Sequence, residues 1–250
     1  TLISRILMLL AFALYIFKSK KFAIYATAVK EALFSRVKMR HIFGMGYPVA
    51  IQMGLESSTF SFSAIMVGWI GVTALAAHQV AITISQLFFL LMQGLSFAIS
   101  ILVSNCYGKK DFDGVNAYVK RGYLMILCTS VFLSLMLYLF RNQAVGLFTD
   151  SPEVAKIAVS LFFVLFAYQL GDGIQLCFAN VLRGLQDVKP IMYAAFVSYY
   201  IIAIPVAYVL GFKFGLGAVG VWIGFPVGLS LAGLFFFLRY RSDMRKFRIG

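Results

Sequence analysis

Asp172 stands alone near the centre of a 28-residue apolar run, Ala155 to Leu182, four residues after Tyr168 and three before Gln175. Glu56 is placed the same way within a second run, Ile42 to Ile70. The other seven of the nine acidic residues (Glu31, Asp111, Asp113, Asp150, Glu153, Asp187 and Asp243) fall in polar, loop-like segments. Holding a carboxylate near the middle of a membrane span costs about 2.5–3.5 kcal/mol on insertion scales, so such groups are rare unless they serve a function. Two of them, each centred in its own span, point to an ion- or cation-handling site inside a helical bundle.

Tyr168 and Asp172, at i and i+4, share a helix face, and Gln175 at i+3 from Asp172 lies on the same face. A carboxylate, a phenolic oxygen and backbone carbonyls make a hard, oxygen-rich set that suits Na⁺. A desolvated carboxyl can instead carry a proton, or Asp172 can simply hydrogen-bond across helices. Gly171 and Gly173 flank it and leave room for an ion, water or another helix. Glu56 is followed by Ser57, Ser58, Thr59, Ser61 and Ser63. Those hydroxyls are expected to bond back to their own helix, whereas Glu56 could pair with a cationic substrate or take up a proton.

Other chemistries find little support. His41 is expected at a helix end, and His78 near the opposite membrane face in interfacial packing. Neither has a Cys, His or acidic neighbour at metal-ligand spacing. Cys106, Cys128 and Cys177 are widely spaced and suggest neither a disulfide framework nor a metal site. The hydrolase, zinc-protease and phosphate-loop signatures are absent, so an enzyme is not expected. Some of the 26 Phe and 13 Tyr residues could line a cavity for flat organic cations.

These residues must be positioned by membrane helices. The chain is 62% hydrophobic and 12% charged, against roughly 45–50% and about 25% in soluble domains. The runs predict a partial span at about 2–17 and six full spans near 42–70, 76–104, 118–140, 155–182, 190–212 and 217–238. The expected architecture is all-α and integral to the membrane: a six-helix transmembrane bundle preceded by a partial helix. Segment 1–17 would end a preceding span, 18–41 would be a basic linker, and 42–250 the bundle with its tail.

The net charge of +13 follows this topology. Alternate connections place 18 of the 22 Lys and Arg residues on one side, which by the positive-inside rule is cytoplasmic and holds the C-terminus. The charge then reflects topology and anionic lipid rather than nucleic acid. In the linker, Phe22, Ile24, Tyr25, Val29, Leu33 and Phe34 mix with basic residues, as in a helix lying on the membrane surface. Pro48, Pro205 and Pro226 fall inside spans and should bend them. Gln52 with Glu56 in the first full span and Gln169 with Asp172 in the fourth form a short match that would suit two three-helix repeats. The chain begins without Met inside an apolar run, as expected of part of a longer protein.

The segments YPVAIQMGLESSTFSFSAIMVGWIGVTALAAHQVA (47–81), NVLRGLQDVKP (180–190) and GLGAVGVWIGFPVG (215–228) resemble the C-terminal half of the multidrug and toxic compound extrusion transporters. The resemblance covers essentially the whole chain in order. It implies twelve spans in two six-helix lobes, with this chain supplying the end of span six, the linker and the second lobe. The N-terminal lobe would be the missing partner, since a central cavity between lobes needs both. It also implies antiport in a bacterial inner membrane: a cationic drug leaves as Na⁺ or H⁺ enters, with no other cofactor.

Glu56 matches the family's acidic position in span seven, and Tyr168 and Asp172 match the tyrosine and aspartate of span ten in the bacterial, typically Na⁺-coupled branch. These three are the expected cation site, for Na⁺ if coupling is to sodium. Gln79, in LAAHQVA, matches a position that can contact substrate, and Glu56, Gln79 and Gln175 are the expected substrate contacts. Competing readings are a lipid-linked oligosaccharide or other lipid flippase of similar plan, which should show a basic cavity, and a non-transporting membrane scaffold.

Overall fold

A computed structural model of the chain describes residues 2–18 and 35–249. Helices account for nearly all of them, and their order follows the apolar runs: α1 (Leu2–Lys18), α2 (Arg36–Ile70), α3 (Val72–Gly108), α4 (Phe112–Leu139), the short α5 (Arg141–Gly146), α6 (Pro152–Gly184), α7 (Lys189–Lys213) and α8 (Gly217–Ile249). The chain divides into two units, Thr1–Gly44 and Met45–Gly250. In the first, α1 is almost wholly exposed and apolar. Its 17 residues reach about 25 Å at 1.5 Å per residue, short of a full crossing. The surface helix expected in the basic linker falls on residues outside those described, while residues 36–41 already belong to α2.

In the second unit, α6 is the central post. It packs most extensively on α8 and α3, then on α4. Small residues allow these approaches. A methyl on Gly184 would lie 2.8 Å from the Ser100 carbonyl oxygen of α3, and one on Gly224 would lie 2.8 Å from that of Ala203 in α7. The space beside Asp172 is likewise filled by helices: α8 presents Ser230 to Gly171, and Ser130 of α4 with Met92 of α3 faces Gly173. Gly71, at φ 151°, allows the abrupt break between α2 and α3 that a side chain would resist.

Among the described residues, five helices (α3, α4, α6, α7 and α8) are long and apolar enough to cross a membrane. α2 has the length, at 35 residues, but also carries Glu56 and its run of hydroxyls. Many large apolar side chains face outward, including Leu90, Ile101, Phe132 and Phe163, as expected of surfaces bathed in lipid. The protein is integral to the membrane.

The proline signals resolve in two ways. Helices α2 and α8 continue through Pro48 and Pro226. In α7, Pro205 lies between two π-helical stretches, Val197–Ala203 and Val209–Lys213. The Ile204 N–H reaches back five residues to Tyr199 O, and the Phe214 N–H to Val209 O at 3.0 Å. Proline donates no N–H, so the ladder re-registers around it.

Candidate functional site

Glu56 is held by a relay of polar side chains. On its own helix face, one turn earlier, Gln52 donates from Nε2 to Glu56 Oε2 at 2.9 Å. From α6, Gln175 Nε2 approaches the same oxygen at 3.4 Å. Gln52 cannot turn freely, because its Oε1 accepts from Arg183 Nη2 at 2.6 Å. Arg183 also donates to Asn180 Oδ1 at 3.2 Å, and Asn180 is pinned by its amide to the Leu176 carbonyl at 3.0 Å. An amide whose oxygen faces a guanidinium must present its NH₂ the other way. Arg183 therefore fixes the donor that meets Glu56.

These groups open onto a cavity of about 430 Å³ between α2, α3 and α6, within the range of small-molecule sites. Glu56, Tyr168, Gln175 and Arg183 line it, with apolar walls from Phe60 and Phe89. Outside the cavity, α2 meets the rest of the bundle through side chains: Phe60 stacks on Phe225 at 4.7 Å, and Ser58 Oγ lies 2.6 Å from the Tyr200 hydroxyl. Tyr168 sits edge-on to Phe60, Trp222 and Phe225.

Asp172 lies deeper, 1% exposed and outside the cavity lining. Its Oδ2 has no hydrogen-bond partner among the described residues, and neither has Gln175 Oε1 or the Tyr199 hydroxyl. Asp172 and Glu56 are within electrostatic reach of one another, and Tyr199 of both. Glu56 also borders a second space of about 10 Å³, shared with Thr59, Tyr199 and Phe225. That is about the volume one water needs. Glu56 and Tyr199 border this small space, and Glu56 also lines the larger cavity.

The sequence-expected residues thus divide. Glu56, Tyr168 and Gln175 meet at one cavity, Asp172 lies behind it, and Gln79 is exposed on α3 and outside the lining. Three of the five hydroxyls after Glu56 bond back to their helix as expected: Ser58, Thr59 and Ser61. The apolar run ending at Leu182 leaves Arg183 in the connection between two expected spans. Arg183 is instead the last residue but one of α6 and reaches into the cavity, so the charges there are not all acidic. Asp243, also read as loop-like, is buried in α8 with Oδ1 3.3 Å from Arg239. His78 is fully buried near the start of α3, accepting at Nδ1 from Trp222 Nε1 at 2.9 Å. Asn180 and Tyr199 carry no signal in the sequence, and Gln52, marked there only by its repeat match, enters the site through Arg183, 131 residues away.

The chain matches the family described as MatE over residues 48–209. It belongs to that family. The MatE chain is 36% identical over 239 residues to the multidrug resistance protein NorM of Aliivibrio fischeri, covering 91% of itself and 50% of that protein. Against the protein of the same name from Vibrio cholerae it is 33% identical over 250 residues, covering 95% and 54%. Its fold is that of a crystal structure described as the eukaryotic MATE transporter AtDTX14, at TM-score 0.81 and 23% identity, covering 94% of this chain and 54% of that one. An outward-facing multidrug resistance MATE transporter superposes at TM-score 0.78 and 19% identity, covering 86% and 49%. The MatE chain spans about half the length of the curated relatives it matches.

Proposed function

We propose that this chain is the C-terminal lobe of a cation-coupled multidrug antiporter, and that Asp172, Tyr168 and Glu56 form its cation site. The observation that carries the proposal is the position of Glu56. It lines the 430 Å³ cavity and also the 10 Å³ space shared with Thr59 and Tyr199, and Asp172 lies within electrostatic reach of it. One carboxylate is therefore available to an organic cation from one direction and to Na⁺ or H⁺ from the other. Competition for that charge couples the two fluxes: a cation at Asp172 and Glu56 lowers the affinity for drug, and drug at Glu56 lowers the affinity for the ion. Gln175 and Tyr168 contribute an amide and an aromatic edge to the drug side, and Gln79, outside the lining and three residues before the lining residue Ile82, a further polar contact.

In this reading a preceding six-helix lobe closes the cavity from the opposite face, and the basic connections face the cytoplasm of a bacterial inner membrane, with the C-terminus inside. The π turns around Pro205 give α7 a place to change register as occupancy alternates. Arg183 in the cavity favours a second reading, transport of an anionic lipid-linked sugar. The two nearby acids outweigh that single cation, which supports the organic-cation reading.

Efflux of a fluorescent cationic dye by the full-length transporter, with Na⁺ and H⁺ gradients imposed separately, tests the proposal. Dye export driven by one of the two gradients supports it. Gradient-independent movement of a lipid-linked sugar, with no dye export, would favour the flippase.

A further inference from the structure

A second cleft of about 470 Å³ opens between α4, α6 and α8, away from the Glu56 cavity. Its rim carries Lys120, Arg241 and Arg245, all exposed, and no acidic residue lines it. Among the described residues none of the three makes an ion pair, whereas neighbouring Arg239 is paired with both Asp187 and Asp243. Below the rim the wall turns apolar and aromatic. Phe178 is buried against Phe237, with ring centroids 5.0 Å apart, and the Arg241 guanidinium lies 5.6 Å over the Phe237 ring. The Tyr240 hydroxyl donates to Asn116 Oδ1 at 2.6 Å, which ties α8 to α4 at the cleft.

The cleft lies where α4 begins and where α6 and α8 approach their C-terminal ends, the side to which the sequence topology assigns most of the basic residues. Three uncompensated cations over an apolar wall, at the end of membrane helices, match an anionic head group whose acyl chain continues between the helices. We infer that this cleft is a binding site for an anionic phospholipid of the surrounding leaflet. The phosphate sits among Lys120, Arg241 and Arg245, and the chain lies along Phe178 and Phe237. The bound lipid would splint α4 to α8.

Native mass spectrometry of the full-length protein from nanodiscs of phosphatidylcholine doped with phosphatidylglycerol tests this. The wild type should retain phosphatidylglycerol selectively. The triple variant Lys120→Gln, Arg241→Gln, Arg245→Gln should lose that selectivity on the order of 100-fold, while Lys120→Arg, Arg241→Lys, Arg245→Lys keeps it within a few-fold. If the triple variant does not fold, Arg245→Gln alone should lower selectivity roughly fivefold. Unchanged phosphatidylglycerol retention in the neutral variants would overturn the inference. So would full displacement of the lipid by inorganic phosphate, since the cleft would then recognise a free anion.

Discussion

Gly220→Ala should separate two helices that now touch backbone to backbone. An added Cβ would stand 2.5 Å from both the carbonyl carbon and oxygen of Leu210 and 2.7 Å from Gly211 N. These are main-chain atoms of α7 and cannot swing aside, so α8 must retreat by about 0.9 Å to restore an ordinary 3.4 Å contact. Overpacking of this kind typically costs 1–3 kcal/mol, and a backbone obstacle places the expected loss near about 3 kcal/mol. Gly54→Ala is the matched control, because nothing lies within 4 Å of its added Cβ. There the helix propensity of Ala should add up to about 1 kcal/mol. Unfolding of the purified full-length protein in mixed micelles reads both changes as midpoint shifts at constant slope. A Gly220→Ala variant at least as stable as Gly54→Ala would refute the packing of α7 on α8 described above.

Three further outcomes follow from the same geometry. Arg183→Gln removes the charged donor that fixes the Gln52 amide. It should cost about 1.5–3 kcal/mol of stability and, by taking a positive charge out of the cavity wall, strengthen cationic dye affinity at Glu56, measured by equilibrium binding to the full-length protein. Trp222→Phe strands His78, whose Nε2 is already without a partner among the described residues; a loss of about 1–3 kcal/mol is expected by the same unfolding assay. Tyr168→Phe keeps the edge contacts with Phe60 and Trp222, so it should leave stability within about 0.5 kcal/mol while lowering the affinity for the coupling ion, read from the cation dependence of dye efflux.

How much of this was legible in the sequence depends on the range of the interaction. The spans were readable because apolar run length is a local property, and α3, α4, α6, α7 and α8 sit where the runs placed them. Glu56 and Asp172 were readable because an acid isolated in an apolar run is conspicuous without any partner in view. Arg183 was not, since a basic residue ending a span has the same local signature as a loop cation. Its inward turn depends on Gln52 in another helix. The triplet Gly171-Asp172-Gly173 signalled free space, but only packing could tell that Ser230 and Ser130 fill it. Pro205 announced a bend. The two π turns that absorb it reflect contacts with α8 that no window of sequence contains.

The central claim is that Asp172 binds the coupling ion beside the drug-facing Glu56. Asp172→Asn preserves side-chain volume and removes the charge. In proteoliposomes of the full-length transporter, cationic dye flux should therefore lose at least tenfold of its response to an imposed Na⁺ or H⁺ gradient, while dye binding at Glu56 persists. A variant that transports dye with its full gradient response would contradict the account.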